Sequence, residues 1–453
     1  MDSAFYVADT STIDLPDIRK RGTLKAILTY SSSSYFIYRG TPMGYEYELI
    51  TRLAKHLNMD LEIIVAPDMD QMASMLFRGD GDIMAHGWTI TKNRQKSLAF
   101  TEPHNNTRQV LVQRLPDNWR QMKIHQIENS IIRSPLRLIG KTVSVRRNSS
   151  YFERIQNLSE EMGGDILIEV VPGSWTTDEI IQKVSDGEIQ YTIADQNIAR
   201  INKTYYNNLD VETAVSFPQR LAWAVRKTSP ELLEEVNKWI IEMKKENDYY
   251  VIYNKYFKNE RAFRKRLKSE FFSKNGDKIS EFDPSIKTNA EALHWDWRLL
   301  ASLIYQESQF NPRTQSWAGA QGLMQVMPAT GRDYGMTNLF DPEENIKAGT
   351  SFLEYLGESW SEIPDSTERI KFVLASYNAG PGHVADARRL AEKNGKNPNL
   401  WDKHVDEYLL KKSNPEFFND PVCKYGYCRG REPYDYVREI LDRYDHYQKF
   451  ISL

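Results

Sequence analysis

The chain of 453 residues lacks the features that would place it in a membrane or on nucleic acid. It has no apolar run of about 18 residues, and its mean hydropathy of −0.60 argues against a membrane-spanning helix. Its charges nearly cancel, with 59 Lys and Arg against 62 Asp and Glu, so charge gives no case for nucleic acid. The opening residues, MDSAFYVADTSTIDLPD, show neither a signal-peptide pattern nor a cysteine for lipid attachment, so we expect neither in this chain.

Cysteine is also scarce, and its two copies, Cys423 and Cys428, lie close together in the segment CKYGYC. Two cysteines without neighbouring histidines cannot form a structural zinc site, and the eight histidines show no ligand spacing. We therefore expect neither a metal nor another cofactor. The pair is compatible with two reduced thiols and with a short local disulfide in an oxidising compartment, and the sequence leaves both open.

The order of apolar segments predicts a two-lobe α/β module followed by a mostly helical module. Strand-like and helix-like segments alternate over residues 20–115 and again from residue 140, which is typical of lobes built on parallel sheets. Strand signals almost vanish beyond a charged stretch that begins near residue 258. The predicted domains are a two-lobe domain at 1–262, with lobe exchange near 115–140 and 215–225, a linker at 263–285 and a helical domain at 286–453.

The first helix of the predicted helical domain carries an unexpected carboxylate. Leu300, Leu303 and Ile304 occupy one apolar stripe, and the next position of that stripe is Glu307. A carboxylate among apolar neighbours is desolvated, which raises its pKa towards the range that a general acid needs. The alternative is a glutamate that is rotated out of the core and paired with an arginine. The helices predicted in this domain are 288–309, 342–357, 366–378, 383–393, 401–411 and 432–450.

Four ordered motifs follow each other over about 140 residues of the helical domain. They read ESQFNP, SWAGAQGLMQVMPAT, SYNAGPG and YVREI, and together they closely resemble the lysozyme-like lytic transglycosylases. The resemblance implies a helical lysozyme-like domain that binds glycan strands of peptidoglycan in a groove. It makes Glu307 the single catalytic acid/base. It also implies groove or supporting roles for Ser316, Gly322, Met324, Gln325, Tyr377, Asn378 and Tyr436.

The family chemistry explains why one carboxylate is sufficient. Most glycosidases use two carboxylates, but we identify no candidate for the second one here. Asp333 and Asp341 lie in turn-like segments, where we expect turn or capping roles. In the family, the C6 hydroxyl of muramic acid attacks its own anomeric carbon. The resemblance therefore implies cleavage of the bond between N-acetylmuramic acid and N-acetylglucosamine, with a 1,6-anhydro product and no water consumed.

The α/β module resembles the amino-acid-binding class of periplasmic solute-binding domains. The resemblance rests on DIMAHGWTITKNRQKSLAFTEPH, SVRRNSSY and TIADQN, and covers roughly residues 20–258. In that family, arginine binds the carboxylate of the ligand and an aspartate binds its ammonium group. The resemblance implies ligand-binding roles for Gly87, Thr89, Arg94, Arg146, Ser150 and Asp195.

Three interpretations of the α/β module remain open: a scaffold, a carrier for a permease, and a sensor of muropeptides or stem peptides that regulates the enzyme. The order of the two modules resembles membrane-bound lytic transglycosylases, which implies a periplasmic enzyme held peripherally at the outer membrane. The rivals are a receptor anchored to peptidoglycan without cutting it, and a hydrolytic muramidase. Endo or exo cleavage, the ligand, domain coupling and oligomeric state stay undetermined by the sequence.

Overall fold

The structure is a computed structural model that describes residues 11–453, and these residues form two compact units. The first unit includes residues up to Phe36 and Pro42–Asn275, and the second comprises Ile37–Thr41 and Gly276–Leu453. The first is α/β and the second is helical, which confirms the predicted fold class. No helix within the described range is both long enough and apolar enough to cross a membrane.

The first unit contains two lobes, of which the first has a six-stranded sheet and the second a two-stranded and a three-stranded sheet. Its helices are α1 (Leu15–Arg21), α2 (Tyr45–His56), α3 (Met69–Arg78), α4 (Ile124–Ser130), α5 (Ser150–Met162), α6 (Thr177–Asp186), α7 (Gln196–Lys203), α8 (Pro230–Met243), α9 (Asn247–Phe257) and α10 (Glu260–Leu267). Its strands are β1 (Thr23–Thr29), β4 (Asp60–Ala66), β5 (Ile83–Thr89), β6 (Leu98–Phe100), β7 (Asn105–Thr107), β8 (Gln109–Arg114), β9 (Thr142–Arg146), β10 (Leu167–Val171), β11 (Tyr191–Asp195), β12 (Leu209–Asp210) and β13 (Gln219–Arg226). The short strands β2 (Phe36–Tyr38) and β3 (Thr41–Met43) lie at the unit boundary, because Ile37–Thr41 belongs to the second unit.

The sheets are mixed, whereas the alternating sequence pattern predicted parallel ones. In the first lobe the order is β4-β1-β5-β13-β6, and β13 runs antiparallel to β5 and β6. In the second lobe β9 and β10 are parallel, but β8 is antiparallel to β11 and β12. Each of β8 and β13 is the first strand after the chain passes from one lobe to the other, so neither follows a helical crossover, and the rule that makes βαβ strands parallel does not apply to them. The chain changes sheets at Arg108, between β7 and β8.

The second unit is built around one apolar core that surrounds a nearly wholly buried helix. Its helices are α11 (Asp283–Ala292), α12 (Trp297–Ser308), α13 (Pro328–Asp333), α14 (Pro342–Ser359), α15 (Ser366–Ala379), α16 (Pro381–Lys393), α17 (Asp406–Lys411), α18 (Pro415–Phe418) and α19 (Arg431–Phe450). A kinked turn at Trp401–Val405 precedes α17. Every residue of α12 from Trp297 to Ile304 is buried, and α19 packs along it, where the Ser302 hydroxyl donates to Ile440 O at 2.7 Å.

The predicted helix at 288–309 is wrong as a single element, because the chain breaks between α11 and α12. His294 has a left-handed backbone with φ 55°, which an α-helix cannot contain. Asp296 then caps α12, since its carboxylate accepts from Arg298 N at 2.9 Å. The break lets α12 start a new direction through the core, and its last turn carries Glu307.

Candidate active site

Glu307 lies in the last turn of α12, just before Gln309 ends the helix with a left-handed backbone. The side chain is half-buried, in line with its position on the apolar stripe of this helix. Among the described residues it makes no ion pair, so the alternative of an arginine-paired glutamate is not what the structure has. Its one hydrogen-bond donor is the Tyr436 hydroxyl, which donates to Oε1.

Burial raises the pKa of Glu307 from its ordinary value of 4.5 to about 7, as the sequence pattern predicts. The hydrogen bond from Tyr436 lowers the pKa, but burial is the larger effect. A carboxyl group with a pKa near neutrality holds its proton for a substantial fraction of the time and can also lose it. This is the property that an acid in one step and a base in the next requires.

Two tyrosines from different helices lie beside this carboxyl group. Tyr436 is buried on the first turns of α19, and burial together with the charge of Glu307 raises the pKa of its hydroxyl well above the usual value. Tyr377, near the end of α15, donates from its hydroxyl to Met324 O at 2.7 Å, and burial also raises its pKa. Both hydroxyls therefore stay protonated at neutral pH and act as hydrogen-bond donors. Asn378 follows Tyr377 and is half-buried at the end of the same helix.

The segment 314–326, which follows α12, forms a tight hairpin-like turn. Gln315 and Gln321 form an antiparallel bridge, and the Ser316 hydroxyl accepts from Ala320 N at 3.0 Å. Gln325 has a left-handed φ of 49°, and its side-chain Nε2 donates to Thr314 O at 3.0 Å. The amide of Gln325 thus ties the two ends of the turn together.

Gly322 and Met324 lie behind this turn rather than on its surface. Gly322 has φ +78°, and a Cβ there would lie 2.1 Å from Leu339 O, so only glycine fits. Met324 is fully buried, and its side chain packs against Gly349. Both residues are buried, which fits the supporting role of the two roles that the resemblance implied for these positions.

Two further polar residues hold the turn, and the sequence reasoning missed both. Ser308, directly after Glu307, donates from its hydroxyl to Leu323 O at 2.7 Å. Asn345 on α14 is fully buried, accepts from Met324 N at 2.7 Å and donates to Gln321 O and Leu339 O at 2.8 Å. The sequence signal for Asn345 was a polar residue directly before Ile346, on the buried face of α14.

The remaining candidates of the helical unit have structural roles or stay apart from the site. Asp341 caps α14, as expected, by accepting from Glu343 N and Glu344 N at 3.0 Å. Cys423 and Cys428 are free thiols, so the disulfide alternative is corrected: the Cys423 thiol donates instead to Phe417 O at 3.3 Å, and Cys428 is buried. No group of three or more potential ligands that could hold a metal occurs in the described part of the chain.

A cavity of about 220 Å³ lies between the two lobes of the first unit. All six residues carried over from the solute-binding resemblance line it or flank it, namely Gly87, Thr89, Arg94, Arg146, Ser150 and Asp195. The lobes meet directly at this cavity, because the Thr89 hydroxyl of the first lobe lies 3.2 Å from the Ser150 hydroxyl of the second. Arg146, at the end of β9, donates to the Thr177 hydroxyl at 3.4 Å.

Arg94 spans both lobes with its guanidinium group. Nη1 donates to Thr89 O and Nη2 to Asn148 O, each at 3.1 Å, and the group lies 4.5 Å from the Trp88 ring. Burial lowers the pKa of Arg94 to about 10, which leaves it charged at neutral pH. Its Nε is buried without a hydrogen-bond partner among the described residues. A ligand carboxylate can therefore approach Nε, or replace Asn148 O at Nη2.

Two buried carboxyl groups face the same cavity. Asp195 accepts from the Tyr151 hydroxyl at 3.1 Å through Oδ2, while its Oδ1 is buried and unpaired within the described residues. Glu46 accepts from Trp223 Nε1 at 2.7 Å and from the Gly87 backbone. Burial raises the pKa of Asp195 and of Glu46 to about 7 in each case. An unpaired buried oxygen next to a cavity is a site for a ligand donor, since leaving it unsatisfied is costly.

Known protein families match both units of the chain. Residues 284–400 match the transglycosylase SLT domain, and residues 27–259 match the bacterial extracellular solute-binding proteins, family 3. The chain therefore joins a solute-binding domain to a transglycosylase domain. Among solved structures, an ancestral arginine-binding protein bound to arginine aligns with 52% of this chain and 99% of its own, at 26% identity and a TM-score of 0.44.

Curated relatives match nearly the whole chain. Membrane-bound lytic murein transglycosylase F of Desulfosudis oleivorans is 36% identical over 97% of this chain and 93% of its own length. The protein of that name from Saccharophagus degradans is 30% identical over 97% of this chain and 84% of its own. The chain belongs to the family of membrane-bound lytic murein transglycosylases F.

Proposed function

We propose that this chain is a peptidoglycan lytic transglycosylase in which Glu307 acts first as the acid and then as the base. The observation that carries the assignment is one half-buried carboxyl group whose pKa is raised to about 7 and whose one hydrogen-bond donor is a tyrosine. Asp341, which lies between the second and third motifs, serves as a helix cap, so it is not available as the second carboxylate that most glycosidases use.

The reaction then needs only groups of Glu307 and of the substrate. The protonated Glu307 gives its proton to the glycosidic oxygen, and the bond from that oxygen to C1 of the muramic acid residue breaks. The resulting carboxylate takes the proton of the C6 hydroxyl, whose oxygen forms a bond to C1. The Glu307 proton is thereby replaced, the product is a 1,6-anhydromuramic end, and no water is consumed.

The tyrosine hydroxyls support this cycle from within the protein. Tyr436 donates to Glu307, and a hydrogen bond to a carboxylate favours its charged form. The bond therefore stabilises the state that follows proton transfer. We assign Gln325, Tyr377, Asn378 and Ser316 to the groove that orients the sugar, since misplacing a reacting group by about 1 Å can cost about a hundredfold in rate.

Replacing Glu307 by glutamine tests the assignment, and the same replacement at another glutamate is the matched control. Glu307→Gln keeps the size and the acceptor oxygen but cannot transfer a proton, so release of soluble muropeptides should fall by at least about a hundredfold. Glu291→Gln makes the same change on an exposed part of α11 and should keep the wild-type rate. Equal rates for Glu307→Gln and the wild type would refute the role of Glu307.

For the first unit, we infer that the cavity between its lobes binds a peptidoglycan-derived peptide or muropeptide that regulates the enzyme. Stem peptides carry both ammonium and carboxylate groups. The ammonium group would donate to the unpaired Oδ1 of Asp195, and a carboxylate would bind at Arg94. Charged and unpaired polar atoms around this cavity favour a ligand site over a purely scaffolding role.

Calorimetric titration of a muropeptide into three proteins tests this ligand. The wild type should bind, and Asp195→Asn should bind at least about tenfold more weakly, because an amide is a neutral acceptor. Asp186→Asn, an exposed aspartate of the same lobe, should leave affinity unchanged. Absence of heat with the wild type, or equal affinity for all three proteins, would refute the site.

We also propose a periplasmic location with peripheral attachment to the outer membrane. The support is the family itself, whose relatives are named membrane-bound. Fractionation of cells that express the complete gene product tests the location. The enzyme should be recovered with outer membranes and be released by a wash that removes peripheral proteins. Recovery only with the inner membrane or the cytosol would contradict it.

A further inference from the structure

A short segment near the start of the chain, Ile37–Thr41, belongs to the helical unit rather than to the α/β unit on either side of it in sequence. We call these residues the 37–41 segment. Ile37 is part of the apolar core of the helical unit and is 1% exposed. Phe36 and Pro42, which flank the segment, belong to the first unit. The catalytic unit is thus assembled from two separate stretches of sequence.

The 37–41 segment contacts two aromatic side chains that flank the candidate catalytic residue in sequence. Tyr305 lies two residues before Glu307 and Phe310 lies three residues after it, and their rings meet edge to face with centroids 5.8 Å apart. The Thr41 hydroxyl lies within hydrogen-bond distance of the Tyr305 hydroxyl, at 2.8 Å. The other face of the Tyr305 ring is near Arg443, whose guanidinium carbon lies 4.5 Å from the ring centroid.

Gly40 also packs against these rings. It is buried, and a Cβ there would lie 2.7 Å from Phe310 Cε2 and 3.0 Å from Tyr305 Cδ2. The Gly40 carbonyl accepts from the Tyr447 hydroxyl at 2.7 Å, and Tyr447 belongs to α19, the helix that also carries Tyr436. The segment therefore contacts both helices that supply the hydrogen-bonded pair of Glu307 and Tyr436.

The backbone after Glu307 is one that needs such support. Gln309 and Phe310 are consecutive non-glycine residues with left-handed φ of 51° and 60°. That conformation is unfavourable for side chains larger than glycine, and it persists only where the surroundings hold it. For Phe310 the surroundings include the α-carbon of Gly40.

We propose that the 37–41 segment is a positioning element of the active site, which fixes the end of the catalytic helix through Tyr305 and Phe310. The proposal rests on the role of Glu307 proposed above, and its test separates the two. A merely structural segment would affect how much protein folds. A positioning segment affects turnover of the folded enzyme and its pH dependence.

The test compares alanine at Gly40 with alanine at Gly140 in the full chain. Both glycines have φ +75°, so both substitutions cost the same backbone strain, but a Cβ at Gly140 meets nothing within 4 Å. For Gly40→Ala we expect kcat to fall by about tenfold or more with little change in KM. We also expect the alkaline limb of the pH profile to move down by about one pH unit, because water reaches Glu307. Gly140→Ala should match the wild type.

Equal kcat values and equal pH profiles for Gly40→Ala and Gly140→Ala would overturn the proposal. A failure of the role proposed for Glu307 would be seen separately, as wild-type activity of Glu307→Gln. If Gly40→Ala does not fold, Thr41→Val and Tyr305→Phe replace it, since each removes one side of a single hydrogen bond. We then expect each to lower kcat by about threefold or more, and the double variant to be no worse than the poorer single one. Wild-type turnover in both, or fully multiplicative losses, would overturn the proposal.

Discussion

Replacing Glu307 by glutamine should make the protein more stable, by an amount that grows with pH. The folded-state pKa of about 7 lies above the ordinary value of 4.5, so the folded state holds this proton more tightly than the unfolded state. Below about pH 4.5 the carboxyl group is protonated in both states and costs nothing. As pH rises through 7, folding requires a half-buried charge, and stability is lost.

The shift sets the size of the effect. At about 1.4 kcal/mol per pKa unit, the ionised Glu307 costs about 3 kcal/mol above pH 8, and less than about 1 kcal/mol at pH 5. Glutamine has no charge to desolvate and keeps an oxygen that can accept from Tyr436. Glu307→Gln should therefore raise the unfolding temperature of the helical unit by about 5–10 °C at pH 8.5, and by little at pH 5.

Differential scanning calorimetry at the two pH values measures this difference. The calorimetric transition of each unit must be resolved, because proteins with several units need not unfold in one step. Glu291→Gln, on the exposed surface, provides the control for loss of one carboxylate and should shift neither transition. Parallel pH curves for Glu307→Gln and the wild type would refute a desolvated carboxyl group at position 307.

Two other substitutions test the electrostatics of the helical unit. Tyr436→Phe removes the hydrogen bond that lowers the pKa of Glu307. The alkaline limb of the pH–rate profile should therefore move to higher pH, and kcat should fall by about tenfold. An unmoved alkaline limb would contradict an effect of this hydrogen bond on Glu307. Lys412→Met removes the buried ammonium group 2.6 Å from the fully buried Asp386, which keeps Arg389 and two backbone donors, and should cost about 1.5–3 kcal/mol of unfolding free energy by thermal or denaturant unfolding. Lys393→Met, which breaks an exposed pair, should cost less than about 1 kcal/mol, and equal costs would refute the difference.

The unusual position of Glu307 was visible in the sequence because its signal is local, whereas its catalytic role was implied by the resemblance of four motifs. A carboxylate at the next position of the stripe formed by Leu300, Leu303 and Ile304 predicts burial and a raised pKa, and the structure has both. The capping role of Asp341 could also be predicted, since an aspartate directly before a proline is a local pattern for the start of a helix. In each case the relevant neighbours lie within two turns of one helix.

The elements that were missed depend on contacts between distant parts of the chain. Asn345 looks like any polar residue on a helix until its partners, which lie about twenty residues away in sequence, are known. The break at His294 depends on a left-handed backbone that few sequence signals mark outside glycine. The 37–41 segment joins a unit whose main part begins more than two hundred residues later, and no local pattern encodes that.

The most direct test of the account is the chemistry of the product. Peptidoglycan is digested by the wild type in water labelled with heavy oxygen, and the released muropeptides are examined by mass spectrometry. We predict 1,6-anhydromuramic ends that carry no heavy oxygen, because the attacking hydroxyl belongs to the substrate, and no such products from Glu307→Gln. Reducing ends that carry the label would mean that water attacks C1, and would contradict the account.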